Sequence, residues 1–159
     1  MTERTRGYAH RIDVPVDVRA VWDALTTAPA IGLWCSPDAG IDARPGGSFH
    51  ANVDRITQFE AHIDLYVPLR RMRLIHLTSP LLPSAESAIV DDFMLEGAEG
   101  AATLRLLGSG FPTDASWDVM YLRRRTGWER ALARLKVVLT RAATSPGDAA
   151  PGNARAGRS

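Results

Sequence analysis

The chain has 159 residues, with 19 Lys+Arg against 18 Asp+Glu and a formal net charge of +1. That length suits one domain burying roughly 70% of its unfolded surface, and the scattered, balanced charge argues against nucleic acid as the main partner. Nothing resembles a signal peptide, the apolar stretches are too short and too broken by charge for membrane insertion, and Cys35 stands alone. The expectation is a cytoplasmic protein with no disulfide framework, no metal and no cofactor.

Tyr8, His10, Ile12 and Val14 alternate as a first strand. After Pro15, Val18, Val21, Trp22 and Leu25 recur at helical spacing. Pro29 interrupts that helix, and Ile31, Leu33 and Trp34 make a second short one ending near Pro37. From Ile41 the period changes to two. Pro45-Gly46-Gly47 reads as a hairpin turn, and strands are expected over Ser48–Val53, Ile56–Val67, Arg70–Ser79, Ser87–Glu96 and Ala102–Leu107. Such alternation means an antiparallel sheet with one wet and one buried face. Parity turns Phe49, Ala51 and Val53 inward, with Phe59, Ala61, Ile63 and Leu65. Leu104, Leu106, Gly108 and Gly110 share a face in the same way.

A Gly-broken corner, Gly108 to Pro112, then leads into one long helix. On it Trp117, Tyr121, Arg124, Trp128, Leu132, Leu135 and Leu139 fall on a single stripe, aromatic at its start and leucine at its end. Laid on a curved sheet, this stripe either packs as ordinary core or leaves an aromatic-walled hollow at its aromatic end. From Thr144 onward no bulky apolar residue remains, so residues 144–159 are expected to be a disordered tail behind a domain of residues 1–143.

Several pieces resemble one family. They are Val21-Trp22-Asp23-Ala24-Leu25-Thr26, Trp34, Asp42 to Phe49, Pro68 to Leu74, Ser109-Gly110-Phe111, and Gly127-Trp128 followed by Leu132, Leu135 and Lys136. Their order is similar to that in the family related to the activator of Hsp90 ATPase, within the START or Bet v 1-like superfamily. The resemblance implies an α+β helix-grip fold, a curved antiparallel sheet around a long C-terminal helix with a ligand-sized cavity between them. It transfers no catalytic residue.

The resemblance also places Met72, Leu74 and His76 inward on one strand and Ile89, Asp91, Phe93 and Leu95 inward on the next. An aromatic is usual at the position of His76 and an apolar residue at that of Asp91, while a histidine often stands where Gly108 does, so the glycine would widen the cavity. A hairpin symmetric about Leu82-Pro83 sets Leu74 opposite Asp91, with His76 diagonal to it. Arg124 would complete a charged triad, unless it snorkels to the helix edge. A one-residue slip would instead turn Asp92 inward, and both registers stay open.

The cavity expected from all this is lined by Trp34, Phe49, Phe59, Met72, Leu74, His76, Asp91, Phe93, Leu104, Leu106, Trp117, Tyr121, Arg124 and Trp128. Asp91, held by His76 or Arg124, would anchor a small apolar or aromatic ligand stacked on Trp117, Tyr121 and Trp128. The first expected function is therefore ligand binding without chemistry. A cyclase or aromatase using a His76–Asp91 pair comes second. A protein-interaction module comes third, since family analogy brings in a chaperone contact and dimers are common among relatives.

Overall fold

The computed structural model describes residues 4–56, 58–79, 82–83 and 88–144. Strand β1 (Thr5–Val14) is followed by helices α1 (Val18–Thr26) and α2 (Ala28–Trp34). Six strands come next: β2 (Gly40–Ile41), β3 (Ser48–Ala51), β4 (Phe59–Val67), β5 (Arg71–His76), β6 (Val90–Ala98) and β7 (Ala101–Pro112). A 3-10 turn, Ala115–Trp117, then opens helix α3, Asp118–Thr144. The strands form one antiparallel sheet in the order β1-β7-β6-β5-β4-β3-β2. Since β1 and β2 are opposite edges, α1 and α2 are the crossing between them. Pro29 begins the second helix, where its missing N–H costs nothing.

Alternation set most of the sheet faces as expected, with three exceptions, one of them the register shift between Arg6 and Tyr8 that turns Phe111 rather than Gly110 inward. In β4 the register shifts between Ile63 and Leu65, so Leu65 pairs with Arg73 on the outer face and Tyr66 pairs with Met72. The bulge inverts parity beyond it. Tyr66 therefore turns inward and packs on Trp22 at 5.3 Å, the place expected for Leu65. The third exception is the expected corner after Leu107. Strand β7 runs through it to Pro112, because Gly110 takes φ +91° and passes so close to Ala88 that a Cβ would sit 1.9 Å from its carbonyl oxygen. Trp117 belongs to the 3-10 turn rather than to the long helix, although it still points to the core.

Outside, Asp92 takes Arg71 Nη2 at 2.6 Å and Arg73 Nε at 3.4 Å, and Arg73 reaches on to Asp64. Asp64 thus pairs with an arginine of the neighbouring strand. Strand β6 starts at Val90; its expected start at Ser87, and Pro80 and Leu81 of the loop before it, lie outside the described residues. So do residues 145–159, most of the expected tail, whereas Thr144 is the last residue of α3.

The hollow expected beneath the tryptophans is filled. Trp117 and Trp128 are 1% and 0% exposed, and Leu74, Leu104 and Leu106 offer no surface at all. Trp128 meets Phe93 edge-on at 5.4 Å and lies 6.0 Å from Phe59 and 6.5 Å from Trp34. Trp117 meets Phe111 edge-on at 6.3 Å. These are ordinary aromatic core geometries. Volume sets this outcome: the indoles of Trp34, Trp117 and Trp128 and the rings of Phe59, Phe93 and Phe111 take up the space that the curvature of the sheet leaves.

Gly108 does not widen any cavity either. It pairs with Tyr8 across β1 and β7, and a Cβ there would lie 2.3 Å from Cε1 and Cζ of the Tyr8 ring. The tyrosine occupies the volume the glycine leaves. Gly108→Ala should therefore push the ring aside and cost about 1–3 kcal/mol. A urea midpoint equal to that of the parent would show that the ring has room to move.

Candidate functional site

Four elements converge on Asp91, which is 0% exposed. Leu74 pairs with it across β5 and β6, and the His76 N–H bonds to the Ile89 carbonyl, so the hairpin register turns Asp91 inward and Asp92 outward. Tyr8 from β1 donates its hydroxyl to Asp91 Oδ1 at 2.6 Å. His76 Nε2 lies 2.6 Å from Oδ2, and Trp128 of α3 donates Nε1–H to the same oxygen at 3.3 Å. Arg124, one helical turn before Trp128, places Nη1 3.0 Å from His76 Nδ1.

This geometry assigns the protons. A guanidinium can only donate, so His76 Nδ1 is the acceptor and its proton sits on Nε2, facing the carboxylate. The imidazole is therefore neutral. Burial above all, helped by the Arg124 charge, lowers its pKa against the pull of Asp91. Burial alone would raise the Asp91 carboxyl, but the bonds from His76 and Tyr8 and the nearby Arg124 overcome it and hold the group ionised, below the usual range. Burial and the Asp91 charge drive the Tyr8 phenol well above its ordinary value.

Arg124 is less well served. It is 2% exposed, its Cζ lies 4.6 Å from the centre of the Phe59 ring, and Nη2 has the Met120 thioether at 3.8 Å. Its Nε has no hydrogen-bond partner among the described residues. Among the described residues no carboxylate lies within ion-pair distance of it.

A pocket of about 120 Å³ opens at this end of the network, between β4, β5, the residues before β6 and α3. Phe59, Ile89, Leu82 and Met120 are its apolar walls, His76 and Arg124 reach it from inside, and Gln58, Glu60 and Leu77 to Ser79 border it. Of the residues expected to line a cavity, Phe59, His76 and Arg124 do so. Asp91 stands behind His76. Trp34, Phe49, Met72, Leu74, Phe93, Leu104, Leu106, Trp117 and Trp128 instead lie in solid core, and none of them borders this pocket. Tyr121 sits at the helix edge, its hydroxyl donating to the Gly7 carbonyl at 2.7 Å.

The sequence reading missed Tyr8 and Met120 as site residues. Tyr8 is inward by the parity of its own strand, but only its pairing with a glycine reveals that its ring is long enough to reach Asp91. Met120 lies one turn before Arg124, off the aromatic stripe, and carries no polar or aromatic signal in the sequence. Cys35 is buried, and burial pushes its thiol up to about 12, which makes it inert. Among the described residues no cluster of three or more metal-binding side chains occurs.

The network makes stability depend on pH with a definite sign. His76 has a folded pKa below its unfolded value of about 6.5, so the unfolded chain binds the proton first. Its contribution is complete above about pH 6.5 and is lost as pH falls towards the folded value. Asp91 adds a further loss below its unfolded value of about 3.9. Tyr8, raised, contributes below about pH 10 and loses its contribution above it. Urea midpoints should thus be flat between about pH 6.5 and 10 and fall on both sides. His76→Gln should remove the decline that begins near 6.5, and a decline unchanged in that variant would assign it elsewhere.

A curved seven-stranded antiparallel sheet closed around a long C-terminal helix, with two short helices after its first strand, is the helix-grip fold of START and Bet v 1-like proteins. The family model described as "Activator of Hsp90 ATPase homolog 1-like protein" matches residues 15–140, and the chain belongs to that family. Solved structures with this fold include protein MLL2253 from Mesorhizobium loti, at TM-score 0.73 and 19% identity over 86% of this chain and 98% of that one. The Aha1 dimer from Colwellia psychrerythraea matches at TM-score 0.69 and 19% identity, over 85% and 96%. CalU16 from Micromonospora echinospora matches at 0.65 and 22%, over 91% and 79%. At these identities the likeness is one of fold. No curated protein matches the sequence. Among the described residues no helix is long and apolar enough to cross a membrane.

Proposed function

We propose that the chain binds a small apolar or aromatic ligand, without acting on it chemically, in the pocket walled by Phe59, Leu82, Ile89 and Met120. One observation carries this reading: His76 and Arg124, the open end of an otherwise enclosed polar network, both reach a pocket whose other inner walls are apolar. Apolar walls with a few convergent polar groups are what small-ligand sites require. The same network speaks against a cyclase or aromatase using His76 as base. Its Nε2 proton is given to Asp91 and its Nδ1 lone pair is taken by Arg124, so neither nitrogen is free to accept a proton from a substrate.

Native mass spectrometry of protein isolated from its own host, followed by NMR titration of whatever is released, tests the proposal. Met120→Trp supplies the control, because an indole at that position would fill the pocket from the helix side. Binding to the parent that Met120→Trp abolishes is the expected result. A ligand bound equally by both proteins lies elsewhere, and the reading fails.

A further inference from the structure

The pocket specifies the ligand's head group as well as its apolar body. This step rests on the binding reading above. Among the described residues Asp91 is the only carboxylate that is fully buried, and neutral donors already satisfy it. Oδ1 takes the Tyr8 hydroxyl, and Oδ2 takes the imidazole N–H and the Trp128 indole N–H. It makes no hydrogen bond to Arg124, whose charge meets, among the described residues, an imidazole lone pair, a thioether and the face of Phe59. A buried guanidinium with a bare Nε is costly, since one unmade bond to a charged group forfeits more than a neutral one. Core packing does not require it, because an apolar side chain of similar length would fill the space.

We infer that Arg124 is the receptor for an anionic head group, and that the ligand is a small monocarboxylate whose apolar body lies against Phe59, Leu82 and Ile89. A carboxylate suits the fork geometry of Nε and Nη2, which can donate two parallel hydrogen bonds to its oxygens. Size limits the body. A cavity of roughly 150 Å³ accepts one benzene, so a pocket of about 120 Å³ that opens to the surface takes a single ring or a short branched chain. Its depth excludes long acyl chains lying under the helix, because the tryptophans close that route. The border residue Glu60 carries the charge that would repel a second acidic group, which favours one carboxylate over two.

The test uses two matched pairs, benzoate with benzyl alcohol and isovalerate with isopentanol, titrated into the full chain by calorimetry and by 1H–15N NMR. In each pair the anion should bind at least about tenfold more tightly than the alcohol. The Arg124 Nε–H resonance should shift downfield with the anion and stay in place with the alcohol. Arg124→Met, which exchanges an unpaired buried cation for an apolar side chain of similar length, should abolish the preference and keep the folded spectrum. Should that variant unfold, the Nε–H shift in the parent decides the matter. Equal binding within both pairs overturns the anion assignment and leaves the pocket reading standing. No binding by any of the four overturns both. A preference that survives in Arg124→Met, or an unmoved Nε–H, assigns the anion to another cation and overturns this proposal.

Discussion

Asp91→Ala should destabilise the protein by about 3–5 kcal/mol, measured as the loss in unfolding free energy in urea at pH 7. The change removes one carboxylate but leaves three buried donors, the Tyr8 hydroxyl, the His76 Nε2–H and the Trp128 indole N–H, with no acceptor. Among the described residues it also removes the one fully buried carboxylate, whose charge is felt by Arg124. Each orphaned donor carries its own desolvation cost of about 1–3 kcal/mol, and partial relaxation keeps the sum from reaching their total. A loss below about 1 kcal/mol would mean that water enters the site and replaces the carboxylate, which the full burial of Asp91 argues against.

Trp128→Ala should cost about 3–5 kcal/mol by the same measurement, for a different reason. The indole fills the junction of Trp34, Phe59 and Phe93 and is fully buried, so its removal leaves a void that neighbours on three separate elements cannot all close. This substitution also separates the two ways in which the long helix could sit on the sheet. Over a hollow, the tryptophan would have a wet face and its loss would be cheap. Seated flush, as the structure has it, the loss is large. A cost near 1 kcal/mol would restore the hollow and move the ligand site back under the helix.

The order and type of the elements were legible in the chain because the period of apolar residues differs between strand and helix, and because Pro15, Pro29 and the Pro45-Gly46-Gly47 turn punctuate them. The approach of His76 to Asp91 was legible too. A hairpin symmetric about Leu82-Pro83 puts Leu74 against Asp91, a one-residue slip turns Asp92 inward instead, and of these two open registers the structure adopts the first, sending Asp92 to the arginines outside. The inversion between Leu65 and Tyr66 was not legible, since a bulge adds a residue without leaving a mark in local composition. Nor was the part played by Tyr8, because Tyr8 and Gly108 are a hundred residues apart and each is unremarkable alone.

By itself, then, the order of residues determined which way most side chains point, those beyond the β4 bulge excepted. Direction follows from backbone periodicity, a local property. What occupies the interior was decided only in three dimensions, where ring volumes from β1, β3, β4, β6, β7 and α3 compete for one space. There the indoles closed the expected hollow, the Tyr8 ring took the room left by Gly108, and the remaining opening was displaced to the rim beside Arg124. Close packing makes that outcome a sum over all the elements at once, which no single stretch of chain encodes.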